Sequence, residues 1–303
     1  MKLVVATRRS TLALAQTRAF VRALLAAQPG LEVEELQIVT SGDRIQDRPL
    51  YEAGGKGLFV KEIEEALLDR RADFAVHSMK DLPAKQADLL TIACVPKRAD
   101  ARDVLLVRPG HEPSLTSLRD GARVGSSSLR RRVALLRARP DLDVQPLRGN
   151  VDTRMKKLVA GDYDAIVLAA AGLARLGVDA SSLPPHAPLP MTTMLPAVAQ
   201  GILAIEARSD DERVRALLAP LEDDDSRLMA TVERGVLEAL DADCTVPLAA
   251  HARLQGDRIH LEAWLTETDG SRFRTRSAER VRSDLAAARS FAVDLGRALR
   301  DGN

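Results

Sequence analysis

Short apolar runs and stripes of helical period succeed one another along this chain. Lys2 to Thr7 reads as a strand, and Leu12, Leu14, Val21, Leu24 and Leu25 recur at helical spacing behind Ser10, which is suited to cap that helix. Leu31 to Thr40 alternates as a strand closed by Ser41-Gly42-Asp43, and Phe59, Ile63, Ala66 and Leu67 stripe a helix from Leu58 to Leu68. Phe74 to Val76 is a buried strand stopped by Pro83, and Leu89 to Val95 is another, with Cys94 in its core. Past a polar crossover from Pro96 to Asp103 the alternation begins anew with a strand from Asp103 to Val107. Arg123-Val124-Gly125 then leads through Ser126-Ser127-Ser128 into a helix from Leu129 to Arg139. A strand from Val144 to Leu147, a helix carrying Arg154 and a continuous apolar strand from Asp164 to Ala170 follow. Ser181 to Pro190 has four prolines and no period, so it reads as loop, and Ile202 to Ala207 looks like a return to the first series. Acidic Glu222 to Asp225 opens a helix from Arg227 to Leu240. Three strands joined at Gly256-Asp257 and Asp269-Gly270 and a helix from Leu285 to Leu299 complete a small α+β tail.

A length of 303 residues exceeds one ordinary core and predicts two or three domains. The 46% apolar and 29% charged fractions are those of a soluble globular protein. The net charge of +1 and the 3% aromatic content disfavour a nucleic-acid binder. That average conceals segregation: Arg119 to Lys157 carries a local net of +7, and Glu206 to Asp225 a local net of −5. A basic segment inside a neutral chain points to an internal anion site. Cys94 and Cys244 stand 150 positions apart, which indicates neither a disulfide framework nor a metal site. Leu3 to Ala6 is too short for a signal peptide, and no apolar run of about eighteen residues exists to span a bilayer. The cytoplasm is therefore the expected location, without membrane or nucleic-acid partners.

Candidate chemistry gathers where strands end. Taken alone, Lys80-Asp81 reads as an exposed turn. In open α/β sheets, however, ligands lie beyond the carboxyl ends of strands, which places Ser78, Lys80 and Asp81 beside a substrate, with Asp81 as candidate catalytic acid. Five strand-to-helix junctions, at Arg8, Lys80, Arg130, Arg148 and Arg175, each deliver a cation to that face, which predicts a cleft for a ligand with several carboxylates or phosphates. Arg130, Arg131 and Arg132 follow at about 100° intervals, so two are expected on the ligand side and one in solvent. Gly54-Gly55-Lys56-Gly57 lets backbone approach a ligand while Lys56 reaches it, but it is not a Walker A loop. Lys61 either joins Lys56 or is solvated. Cys244 has acidic neighbours that oppose an activated thiolate, leaving inertness or a permanent attachment point.

These stretches together resemble the porphobilinogen deaminase (hydroxymethylbilane synthase) family. The match runs through Val5-Ala6-Thr7-Arg8, Gly54 to Glu62, Val76 to Pro83, Gly125 to Arg131, Leu147 to Val151, Ala170 to Leu173 and Cys244 to Pro247, in the family's order over nearly the whole chain. The resemblance implies two periplasmic-binding-protein-like (type II) α/β domains with an active cleft between them and a small C-terminal α+β domain. The expected limits are residues 1–98 with 199–219 for the first, 99–198 for the second and 220–303 for the third. It further implies an enzyme that joins four porphobilinogen units head to tail on a dipyrromethane primer, releases ammonia each time, and hydrolyses the product to hydroxymethylbilane.

By the same resemblance Asp81 is catalytic and the dipyrromethane is bound through a thioether to Cys244. Ser78, Lys80, Asp81, Ser126, Ser127, Ser128, Arg130, Arg131 and Arg148 would surround that cofactor. Arg8, Ser10, Lys56, Arg148, Arg154, Arg175 and Gln200 would hold the substrate, with no metal and a monomeric chain. A carboxylate beside a pyrrole nitrogen stabilises the cation that develops as ammonia leaves. Three positions depart from the family's habit: Ala242-Asp243 where Gly-Gly is common, Ala199 for a glycine, and Ser41 where some members are basic. The rival expectation is a non-catalytic two-domain anion receptor.

Overall fold

A computed structural model describes residues 1–44, 59–177, 179, 182–240 and 246–302. The Gly54 to Gly57 loop with Lys56, and the segment with Cys244, lie outside the described residues.

The first sheet contains β1 (Lys2–Arg8), β2 (Glu32–Ile38), β3 (Phe74–Ser78), β4 (Leu90–Cys94) and, far along the chain, β10 (Leu203–Arg208), in the order β2-β1-β3-β10-β4. β1 pairs in parallel with β2 and β3, while β10 runs antiparallel between β3 and β4. The second sheet contains β5 (Asp103–Val107), β6 (Arg123–Gly125), β7 (Asp143–Gln145), β8 (Ala165–Ala169) and β9 (His186–Pro188), in the order β7-β6-β8-β5-β9. It repeats the arrangement: three parallel strands, then β5 antiparallel to both β8 and β9. Each sheet thus receives its antiparallel strand directly after the chain has crossed over, β5 on leaving the first series and β10 on returning to it. The two crossings touch, the Ala99 amide donating to the Gly201 carbonyl at 3.0 Å.

The apolar central strands explain why both sheets are covered on two faces. Leu3, Val5 and Phe74 pack with Phe20 and Leu24 of α1 (Thr11–Ala27) on one side of the first sheet. Ala6 and Ala75 pack with Ile63 and Leu67 of α3 (Lys61–Leu68) on the other; α2 is the single turn Ser41–Arg44. The second sheet is sandwiched in the same way by α4 (Leu129–Ala138) and α5 (Val151–Val159), with α6 (Ala170–Leu176) following β8 directly. After α7 (Glu212–Leu218) comes the third unit, the antiparallel meander β11 (Leu248–Gln255), β12 (Arg258–Leu265) and β13 (Arg274–Val281). It packs on α8 (Asp224–Ala239) and α9 (Leu285–Asp301). Glycine makes the close crossing of α8 and α9 possible, since a Cβ at Gly235 would stand 2.8 Å from that of Ala292.

The structure corrects one expectation about the elements and, in the cleft, the expectation that two of Arg130 to Arg132 face the ligand, since Arg130 turns inward to Asp103. Ser181 to Pro190 is not all loop: His186–Pro188 forms β9, pairing Leu105 with Ala187 and Val104 with Pro188. An edge strand tolerates prolines because only one side of it needs donors, and for that reason the missing apolar period misled.

Candidate functional site

The parallel strands of both sheets end at one cleft of about 810 Å³. β1 delivers Arg8 and, one residue past its end, Arg9; Ser10 then caps α1, accepting from the Ala13 amide at 3.3 Å. β3 runs into a single 3₁₀ turn, Met79–Asp81, whose Met79 is buried while half-buried Lys80 and Asp81 line the cleft. From the second sheet come Ser127 and Arg131 after β6, Arg148 after β7 and Arg175 on α6, with Arg154 and Lys157 sharing one face of α5. Asn150 caps α5 by accepting from the Thr153 amide at 2.9 Å, so the first turn of that helix also opens here. Eight cationic side chains and two carboxylates line the cleft among the described residues. One of the two, Asp43, is occupied by an ion pair with Arg8, whose guanidinium also stacks 4.1 Å over the Phe59 ring. Asp81 forms no ion pair among the described residues, which makes it the one lining carboxylate left for chemistry.

Burial makes this excess of positive charge expensive without an anion. Desolvation, then the nearby Arg131, push the Lys80 ammonium down to about 8, against the opposing pull of Asp81 and Asp103. Arg154 falls to about 10 through burial and through Arg131 and Arg148, and Arg175 to about 10 through burial. Backbone carbonyls hold both arginines in place: Arg154 Nε donates to Gly149 at 2.8 Å and Arg175 Nη2 to Gly201 at 2.6 Å. The cost is offset in the interior by Asp103, the first residue of β5 and fully buried. Its carboxylate accepts from Arg130 Nη2 at 2.7 Å, from Arg131 Nε at 3.0 Å and Nη2 at 2.7 Å, and from Gln200 Nε2 at 3.2 Å. Although desolvation opposes ionisation, the two guanidiniums hold the Asp103 carboxyl down to about 2. Gln200 relays the network to the first sheet by accepting from Lys80 Nζ at 3.2 Å.

The other expected site residues fall around this frame. Ser78 Oγ meets the Gln16 amide group at 3.1 Å, and Ser127 Oγ bridges Leu147, donating to its carbonyl at 2.9 Å and accepting from its amide at 3.0 Å. Ser126 is buried beneath them, and Ser128 caps α4 by accepting from the Arg131 amide at 3.4 Å. Of the three consecutive arginines only Arg131 reaches the cleft. Arg130 turns inward to Asp103 and the Leu195 carbonyl, and Arg132 is exposed. Lys61 stands in solvent near Glu65, away from the cleft. Cys94 is buried, its thiol pushed up to about 12 by desolvation and Glu222, which fits a core residue. Lys56 and Cys244 lie outside the described residues.

Sequence reasoning missed Asp43, Gln16, Arg9, Lys157 and above all Asp103. The available signal for Asp103 was an acid opening an otherwise apolar strand, a position where burial demands partners.

The arrangement can grip several carboxylates at once and set one carboxylate against a positive charge forming among them. Comparison with known proteins identifies a family for the chain. Residues 3–216 match the family model for the porphobilinogen deaminase dipyrromethane cofactor binding domain, and residues 227–301 match that for the porphobilinogen deaminase C-terminal domain. A porphobilinogen deaminase from Sorangium cellulosum is 52% identical over 94% of this chain and 97% of its own. One from a Roseiflexus species is 48% identical over 99% and 94% respectively. Among solved structures, the periplasmic aliphatic sulphonate binding protein of Escherichia coli superposes with a TM-score of 0.41 at 16% identity, covering 79% of this chain and 73% of its own. Both family models are those of porphobilinogen deaminase, so the receptor alternative is not favoured.

Proposed function

The chain belongs to the porphobilinogen deaminase family, and on that premise we propose that Asp81 is its catalytic carboxylate and the surrounding cations its carboxylate grip. The activity is the head-to-tail condensation of four porphobilinogen units with loss of ammonia, followed by hydrolysis to hydroxymethylbilane. The matched cofactor domain brings dipyrromethane, and the donor set fits it: a cleft with eight cations and one uncommitted carboxylate suits a ligand bearing several acidic arms. Lys80, Ser127, Arg131 and Arg148 would hold that group, with Ser78, Ser126 and Ser128 shaping the turns around it. Cys244 would attach it. When bound, it supplies a nucleophilic pyrrole carbon on which the ring chain begins.

The residues of the chain do the rest. Arg8, Arg154 and Arg175, with Ser10 and Gln200 behind them, bind and orient the acetate and propionate of the substrate, and Lys56 is assigned to the same task. Asp81 accepts the pyrrole N–H of the substrate. As the C–N bond to ammonia breaks, the ring nitrogen donates electron density and becomes positive, and the adjacent carboxylate stabilises that charge. Half-burial of Asp81 strengthens that stabilisation over its value in bulk water, and it offsets the repulsion of the forming cation by the cations that line the cleft. Asp81 would then take up the proton released by the attacking ring carbon as the new carbon–carbon bond forms, a contribution of about 10²- to 10⁴-fold in rate. Arg130 serves from inside, sharing Asp103 with Arg131 and so fixing the direction of the Arg131 guanidinium.

The observation that carries this reading is that, among the described residues, Asp81 is the cleft carboxylate without an ion pair beside eight cations. We assign residues 1–98 with 199–219, 99–198 and 220–303 to three domains, in keeping with the three sheets. Cytoplasmic location, a monomeric chain and independence of nucleic acid, membrane and protein partners complete the proposal. No described helix is long and apolar enough to cross a membrane. The test is intact mass with Ehrlich's reagent: the purified protein should carry a pyrrole adduct that Cys244→Ser abolishes. An adduct that survives Cys244→Ser would displace the assignment of the attachment residue.

A further inference from the structure

The 3₁₀ turn that carries Asp81 continues into a stretch, Leu82 to Leu89, that belongs to no strand or helix. Its fixed points alternate. Met79 and Leu82 sink into one apolar cluster with Leu228, Val232 and Val236 of α8, while Lys80 and Asp81 between them face the cleft. Immediately beyond, the carbonyls of Pro83 and Ala84 both accept from Nη2 of Arg234, at 2.8 and 3.0 Å. Behind the same stretch lies a second cavity of about 890 Å³, lined by Met79, Pro83, Ala84 and Arg234. The catalytic turn is therefore a thin wall between two hollows, held from the rear by one guanidinium on a helix of the third unit. Burial lowers the pKa of that guanidinium, with Glu206 and Glu238 opposing, and it remains a cation.

We infer that Arg234 is a positioning residue, which sets the Asp81 carboxylate by clamping the backbone two and three residues after it to α8. The inference rests on the reading of Asp81 as the catalytic carboxylate. Arg234 lines the rear cavity and is absent from the lining of the cleft, so its removal leaves the arginines of the carboxylate grip in place. What it alters is the freedom of a short turn, and a displacement of about 1 Å at a reacting group costs about 10²-fold in rate. Substrate binding, carried by arginines on other elements, is spared. Arg234→Met should therefore lower kcat about 10-fold or more at a KM within about twofold of wild type.

The experiment compares Arg234→Met and Arg234→Lys in the loaded holoprotein, measuring kcat, KM and the mass of the pyrrole adduct. Arg234→Lys retains the charge and a donor and should recover part of the lost kcat. Repeating Arg234→Met in an Asp81→Glu background supplies the readout that a merely structural role would not move. The longer, already displaced carboxylate no longer depends on the clamp, so the further loss should be under about threefold. An unchanged kcat in Arg234→Met, a rise in KM alone, or an equal loss in both backgrounds would overturn the inference. Should Arg234→Met not fold, Arg234→Lys decides: a lowered kcat at constant KM supports the clamp, and wild-type kcat refutes it. Failure of the underlying reading shows separately, as turnover retained in Asp81→Asn.

Discussion

Replacing Asp103 by asparagine tests whether one buried carboxylate sustains the positive cleft. In Asp103→Asn the amide oxygen could still accept one hydrogen bond, but the new NH2 group would face guanidinium donors, and Arg130 and Arg131 would lose their shared counter-charge. The ordinary carboxyl pKa of 3.8 is held down to about 2 by the two guanidiniums. At about 1.4 kcal/mol per pH unit this depression corresponds to about 2.5 kcal/mol of stability at pH 7. Breaking a buried ion pair by removing one partner costs about 3 to 5 kcal/mol, a range that begins just above the first figure. A loss of about 3 kcal/mol is expected. The sign with pH follows from the depressed pKa: the stabilisation is complete above 3.8 and fades as pH falls toward about 2. Urea unfolding of wild type and Asp103→Asn should show the full gap at pH 7 and at pH 5, and about half of it at about pH 3. A gap below about 1 kcal/mol at pH 7, or one that stays constant down to pH 3, would refute the reasoning.

Ala199 adopts φ +57°, a left-handed conformation that costs an L-residue about 1 to 2 kcal/mol. Ala199→Gly should therefore stabilise the fold by about 0.5 to 1 kcal/mol in urea unfolding, net of the added chain entropy, and a lowered midpoint would contradict this. Two residues on, Gly201 has φ +88°, and a Cβ there would stand 2.6 Å from the Ala99 carbonyl oxygen at the crossing of the chain. Gly201→Ala should destabilise by about 2 kcal/mol or more in the same measurement, and a neutral result would contradict the geometry. Because burial and Arg131 lower Lys80 to about 8, its attraction for carboxylates held in the cleft is lost as pH rises through that value. In the pH profile kcat/KM should fall on the alkaline side with this pKa, and Lys80→Met should remove that limb; a limb that persists in the variant would contradict the assignment.

Element types were legible because the central strands of the two α/β sheets are covered on both faces and read as apolar runs, the edge strand β2 as an alternation, and the helices as stripes. β9 was hidden by prolines that an edge position accommodates. The cations of the cleft were legible for a topological reason: side chains just past parallel strands converge, so Arg8, Lys80, Arg148 and Arg175 could be placed together from their positions after strands. Angular spacing alone did not tell which of Arg130 to Arg132 serves the ligand. The answer depends on Asp103, which β5 brings beneath α4 from a distant part of the chain. Pairings across such separations, like Gln16 with Ser78 or Gln200 with Lys80, leave no periodic trace in the sequence. The left-handed turn at Ala199 was foreshadowed by the glycine that usually stands there, a backbone demand visible through residue type alone.

The central claim is that one carboxylate, Asp81, carries the condensation while the cations around it only hold. Mass spectrometry of intact Asp81→Asn holoprotein mixed with porphobilinogen addresses it directly, since each condensation adds one ring to the covalently held chain. Asp81→Asn should carry its primer, bind substrate and stay at the primer mass while wild type climbs through successive additions. A ladder of added rings forming on Asp81→Asn at the wild-type rate would contradict it.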